Sequence, residues 1–152
     1  MKTTLVEQFD IVGIRTKTTN NGSASKDIPA LWGRFMSENI LENIPNKIDN
    51  AIYCLYTEYE GDHTQPYDVV LGCKVSNSNE IPEGFTHLHV PKSENAKFLA
   101  KGVIEHGQAV IETWMKIWQS DLDRAFRVDY EVYDERSADL QNAEVDIFIG
   151  LK

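Results

Sequence analysis

The stretch Phe126-Arg127-Val128-Asp129-Tyr130-Glu131-Val132-Tyr133 decides the fold. It follows an apolar helical run and precedes a closing strand, Val145-Asp146-Ile147-Phe148-Ile149. Side chains alternate across a strand, so Phe126, Val128, Tyr130 and Val132 are expected on one face and Arg127, Asp129, Glu131 and Tyr133 on the other. The first face packs, and the second is left for chemistry. The closing strand divides the same way, with Val145, Ile147, Ile149 and Leu151 together while Asp146 and Phe148 point away. A carboxylate among aromatic residues, in a chain of net charge -9, points to a site for something cationic and apolar.

Upstream of this stretch, His106-Gly107 opens a helix whose Val110, Ile111, Trp114, Met115, Ile117, Trp118 and Leu122 form a broad apolar face suited to a sheet. Trp118 reads as core packing on that stripe. Before the helix come a short strand over residues 85–90, closed by Pro91, and a longer one over 96–104. In the first half, residues 5–15 read as one strand rich in β-branched side chains, ending in a polar loop over 18–25. Asp27 offers an N-cap with Pro29 in the first turn. Ile28, Leu31, Trp32, Phe35, Met36 and Ile40 then keep helical spacing until Pro45, which cannot continue a hydrogen-bonded helix. Runs over 52–59 and 67–75, separated by Gly61-Asp62-His63-Thr64-Gln65-Pro66, form a hairpin.

Strand, helix, strand, strand therefore occurs twice, over about 5–76 and 85–151, within a single domain spanning 1–152. The expected architecture is α+β. Duplicated strand-helix-strand-strand halves form antiparallel sheets, two main helices lie on one side, and a ligand cleft opens between the halves where their uncovered sides meet.

Composition bounds the function. A chain of 152 residues with 41% hydrophobic content can bury about 70% of its unfolded surface. With 15 basic against 24 acidic residues, it has the wrong sign for counterion release from nucleic acid, so no direct DNA or RNA contact is expected. Glu7 and Asp10 interrupt any signal-like apolar region, and no run of about 18 apolar residues occurs. A soluble, cytoplasmic chain with no membrane partner is the expectation. Cys54 and Cys73 lie in the two strands of the hairpin and could face each other, but are expected as reduced packing thiols.

The sequence resembles the GyrI-like, or AraC-type, effector-binding domain family, also found as the drug-binding part of multidrug-sensing transcription activators. The residues that carry the likeness are Ile11-Val12-Gly13-Ile14, Ile28-Pro29-Ala30-Leu31-Trp32-Gly33-Arg34-Phe35, Leu71-Gly72-Cys73-Lys74-Val75, the helix bearing Trp114 and Trp118, Tyr130-Glu131-Val132-Tyr133-Asp134, and Ala143-Glu144-Val145-Asp146-Ile147-Phe148-Ile149. The likeness spans nearly the whole chain, and stand-alone members include proteins carried on integron cassettes. It implies a cleft that binds lipophilic, often cationic small molecules, with Glu131 in the place of the family's buried acid. It also implies aromatic walls, for which Trp32, Tyr53, Tyr56, Phe85, Trp114, Tyr133 and Phe148 are the candidates. Tyr53 and Tyr56 fall on opposite faces of one strand, so only one of them can line the cleft from there.

Some relatives in the superfamily are described as hydrolases of reactive electrophiles, which leaves an alternative in which Glu131 is a general base with Tyr133 as hydrogen-bond donor. A binding module without catalytic residues is the primary expectation. His87-x-His89 sets two imidazoles on one side of a short strand, but the sequence identifies no third ligand, so no metal is expected. His63 and His106 read as solvated turn residues. No other cofactor is implied. A homodimer, or association with a DNA-binding regulator, stays open.

Overall fold

The computed structural model describes residues 2–62 and 64–152; the expectation for His63 falls outside them. Eight strands, β1 (Lys2–Val6), β2 (Phe9–Thr18), β3 (Ile52–Thr57), β4 (Tyr67–Val75), β5 (Thr86–Val90), β6 (Ser93–Gly102), β7 (Val128–Tyr133) and β8 (Ala143–Gly150), form one antiparallel sheet. Three α-helices accompany it, α1 (Ala24–Ser37), α2 (Ile40–Asn43) and α3 (Gln108–Trp118).

The strand order, β1-β6-β8-β7-β3-β4-β2-β5, is reversed end to end when β1 to β4 are exchanged with β5 to β8, as a two-fold relation between the halves requires. This is the duplication expected from the sequence, with a feature the sequence hid. Residues 5–15, read as one strand, are parts of two: β1 pairs with β6 of the other half, while β2 joins β4 and β5. The leading strands of the halves are thus swapped. In the second half Pro91, which cannot donate to a ladder, marks the crossing; in the first only Glu7-Gln8 separates the strands, and their alternation runs straight through.

β3 and β7 pair at the centre and join the two halves. Gly13 faces Gly72 where β2 crosses β4. A Cβ on Gly72 would lie 2.3 Å from the Val12 carbonyl oxygen, so the strands approach too closely there for any side chain.

Both long helices cover the same face. α1 packs Leu31 and Phe35 on Val12, Ile14, Leu71 and Cys73. α3 packs Val110, Trp114 and Ile117 on Ala96, Ala100, Val145, Ile147 and Ile149. The opposite face is also packed, around Ile11, Tyr53, Leu55, Val70 and Tyr130.

Helix α1 begins at Ala24, three residues before the expected cap. Asp27 instead sits in the first turn, where the helix dipole favours an acid, and accepts a hydrogen bond from Thr18 Oγ1 at 2.9 Å. Ile40 belongs to α2, entered through Asn39 in the left-handed region (φ 53°). The ladder sets Cys54 opposite Leu71 and Glu131, and Cys73 opposite Val12, so the two buried, free thiols do not face each other. Among the described residues no helix is long and apolar enough to cross a membrane.

Candidate functional site

Because α1 lies over β2 and β4 and α3 over β6, the central strands β3 and β7 are left open between them. A cleft of about 1520 Å³ occupies that gap. It lies on the helix-bearing face, not the uncovered one as the sequence was read, because each helix follows its own half's outer strands and neither reaches the seam.

Glu131 forms the floor. Cross-strand pairing places it in the row Phe98, Ile147, Glu131, Cys54, Leu71, Ile14, so its neighbours on either side are apolar. Its side chain is 2% exposed. Burying a carboxylate costs several kcal/mol unless hydrogen bonds replace its water, and three aromatic donors do so. Tyr56 Oη and Trp114 Nε1 each donate to Oε2 at 2.7 Å, and Tyr133 Oη donates to Oε1 at 2.6 Å. Burial nevertheless pushes the carboxyl above its ordinary pKa, with the Tyr133, Tyr56 and Trp114 hydrogen bonds pulling it partly back. The same burial holds the Tyr56 and Tyr133 phenols well above their usual range, so both remain protonated donors.

Both helices are tied to this group. Trp114 of α3 bonds it directly and packs edge-on against Tyr56 at 5.3 Å; Trp32 of α1 packs edge-on against Tyr133 at 4.9 Å. Of the sequence candidates, the structure brings Trp32, Tyr56, Trp114, Glu131 and Tyr133 together in the cleft.

Two candidates are not brought there, and a third only borders it with its ring turned away. The Phe148 ring stacks on Tyr130 at 4.8 Å on the far face, as its alternation with Ile147 dictates. Tyr53 borders the cleft, but its ring packs against Phe9 and Tyr130 on that same far face, where burial raises its phenol to about 12. Phe85 precedes β5 and packs into the α1 core.

Other residues came into the site unforeseen. Trp118, read as core, is 38% exposed and lines the cleft instead. Tyr59, Tyr67 and Arg124 line it too. Asp129 lies two residues before Glu131 on the same face and is wholly buried. It accepts from Tyr59 Oη at 2.5 Å, Arg124 Nη2 at 2.7 Å and the Gly150 amide at 2.8 Å. The signal for that network was the i, i+2 spacing of the two acids. Its basic partner, before the strand, carried none. Phe126 was expected beside Val128 on the packed face, but the strand begins at Val128. Phe126 stands in the left-handed region (φ 53°), with its ring over the Arg124 guanidinium at 4.3 Å and edge-on to Tyr59 at 5.7 Å.

The His87 and His89 imidazoles both hydrogen bond Asp10 Oδ1, at 2.8 and 3.0 Å, and the His87 bond leads in holding that carboxyl below its ordinary range. The sequence did not reveal Asp10 as the partner the two imidazoles share. Among the described residues no three such side chains are arranged to hold a metal. His106 is exposed and borders the cleft.

The fold has parallels among known proteins. YobU of Bacillus subtilis, described as a candidate transcriptional regulator, is 28% identical over 151 residues, covering 97% of this chain and 93% of its own. An integron cassette protein from the mobile metagenome of Vibrio cholerae superposes with a TM-score of 0.74 at 26% identity, covering 99% of this chain and 95% of that one. The protein SAV2435, solved with tetraphenylphosphonium bound, superposes with a TM-score of 0.80 over 99% of this chain and 93% of its own; at 17% identity it shows the shared fold. With the integron-associated effector-binding protein family model matching residues 4–151, the chain belongs to that family.

Proposed function

We propose that the protein captures a lipophilic organic cation between α1 and α3, with Glu131 as counter-charge and the surrounding rings as walls. The observation that carries this reading is a fully buried carboxylate, on the floor of a large open cleft, whose partners are all uncharged. Neutral donors satisfy its hydrogen-bonding capacity but leave its charge in place. Among the described residues the cleft lining carries Asp49, Glu105, Glu131 and Glu135, with Asp134 already paired to Arg136, against a single guanidinium, Arg124, which is itself paired with Asp129. The local field therefore favours cations. Trp32, Tyr56, Trp114 and Tyr133 offer aromatic surface, each face contributing about 0.5 to 2 kcal/mol to a cation stacked on it. At about 1520 Å³ the space exceeds the roughly 300 to 1,000 Å³ of an ordinary ligand pocket, which suits bulky, flat molecules of varied shape. The tetraphenylphosphonium bound by the structural relative SAV2435 is a bulky lipophilic cation.

Hydrolysis by Glu131 is less well supported. A carboxylate has about four acceptor sites, and three are filled by ring donors, leaving little room to align an attacking water. Any contact with DNA would be made outside these residues, since their net charge of -9 repels the phosphate backbone.

The test is equilibrium titration of tetraphenylphosphonium and an aromatic cationic dye into wild type and Glu131→Gln. A cation about 5 Å from the carboxylate gains about 3 kcal/mol at an effective dielectric of about 20, so the amide variant should bind roughly 100-fold more weakly. Equal affinities in the two proteins would defeat the charge argument.

A further inference from the structure

Arg124 is 6% exposed and lines the cleft, yet two of its donors are unused. Nη2 is committed to Asp129 at 2.7 Å, whereas Nε and Nη1 are buried and have no hydrogen-bond partner among the described residues. The guanidinium lies between two rings, Phe126 at 4.3 Å and Trp114 at 5.9 Å. Leaving a charged group's buried donor unpaired costs free energy, and a native structure keeps such a feature only where something compensates it.

Trp114 separates this edge from Glu131, since its indole bonds the carboxylate while its ring lies under the guanidinium. The acid that holds Arg124 is Asp129, one alternate position from Glu131 on β7, a spacing of about 6.6 Å along a strand. Phe126, which closes the edge, stands on left-handed backbone that a bulky side chain rarely adopts. Such strain concentrates at ligand clamps and switch segments.

We propose that the unpaired Nη1 edge of Arg124 is a second recognition subsite of the cleft, taking a hydrogen-bond acceptor oxygen of the ligand when the Phe126 ring swings aside. The preferred ligand is then an aromatic cation that carries a carbonyl, ester or carboxylate oxygen roughly one aromatic ring away from its charge, not a purely hydrocarbon-clad cation. This rests on the reading of the cleft as a cation site. It adds an oxygen-specific component to a site otherwise selective for charge and flatness.

A matched pair of dyes separates the two ideas. Tetramethylrosamine and the methyl ester of tetramethylrhodamine share one xanthylium cation and differ by an ester group. Wild type should bind the ester about 10-fold more tightly, in keeping with a hydrogen bond to a charged donor. Arg124→Lys keeps a positive charge beside Asp129, but its single ammonium is held by that carboxylate and offers no second guanidinium nitrogen, so the ratio of ester to rosamine affinity should fall to about one. Glu131→Gln should weaken both dyes by one common factor and keep the preference. Equal affinity of wild type for the two dyes, or an equal loss of both in Arg124→Lys, overturns the oxygen subsite and leaves the cation reading standing. If neither dye binds wild type, both fall. The wild-type ratio decides the matter even if Arg124→Lys folds poorly.

Discussion

Tyr133→Phe removes one hydroxyl from the cleft and nothing else, because a phenyl ring can keep the edge-on contact that Tyr133 makes with Trp32 at 4.9 Å. Glu131 Oε1 then loses the donor it has among the described residues, at 2.6 Å, while Oε2 keeps both Tyr56 and Trp114. A hydrogen bond to an ionised partner contributes about 1.5 to 3 kcal/mol. For a domain of this size each kcal/mol moves the melting temperature by about 2 to 4 °C, so the variant should melt about 3 to 12 °C lower wherever Glu131 is ionised.

The pH dependence is the sharper part of the prediction. Burial raises the folded carboxyl above its unfolded value, so between those two values the folded state holds more protons. Stability therefore falls as pH rises through that window, and the cost of the charge is fully present above the folded pKa. Loss of the Tyr133 donor raises the folded value further, since that hydrogen bond is the leading influence lowering it. The melting difference between wild type and variant should be small below the unfolded carboxyl pKa, where only a neutral hydrogen bond of about 0.5 to 1.5 kcal/mol is lost. It should widen with rising pH. Scanning calorimetry from pH 4 to 9 measures it. A deficit of the same size at every pH, or none, would refute the idea that Glu131 carries its charge in a dry site.

Glu131→Gln without ligand should flatten the fall in stability with rising pH and melt higher than wild type on the alkaline side, because the buried charge is gone while the amide oxygen still accepts; a lower melting temperature throughout would make the carboxylate a net stabiliser. Phe148→Leu loses the stack on Tyr130, about 1 kcal/mol and about 2 to 4 °C, yet dye affinity should not move, because that ring is on the far face. An affinity change in calorimetric titration would contradict the placement. Gly72→Ala should give no folded protein, since its Cβ would meet the Val12 carbonyl oxygen at 2.3 Å, a backbone atom that cannot step aside; recovery of soluble material with wild-type circular dichroism would show that the strands can part.

The duplication, the two helices and the identity of the acid were legible because each rests on local pattern. Helical spacing fixed Leu31, Phe35, Val110, Trp114 and Ile117 as buried, and strand alternation put Glu131 and Tyr133 on one face, away from Tyr130. What the sequence withheld was long-range. The β1 crossing joins residues about ninety positions apart, Lys2 with Lys97, and nothing in an unbroken alternating run announces it. The side on which the cleft opens depends on where the helices rest across the sheet, not on their own amphipathicity. Trp118 was taken for core because it continues the α3 stripe, but the sheet beneath that end gives way to the groove. Tyr59 and Arg124 reach Asp129 from outside β3 and β7, where no periodicity assigns a direction.

If Glu131 is the counter-charge of a bound cation, the two acids of β7 contrast a structural carboxylate with a receptive one. Asp129 is fully buried, and a guanidinium neutralises it; removing that partner should cost about 3 to 5 kcal/mol. Glu131, on the same face, is given only phenols and an indole. These donors position the carboxylate in advance and occupy most of its lone pairs. An incoming ligand therefore gains little by offering N–H groups, while a primary ammonium would surrender its strong hydration for contacts it cannot remake. A cation with delocalised or shielded charge gives up little hydration and keeps the full Coulomb attraction. By this reasoning a cleft that binds cations as proposed should discriminate against small amines of equal charge.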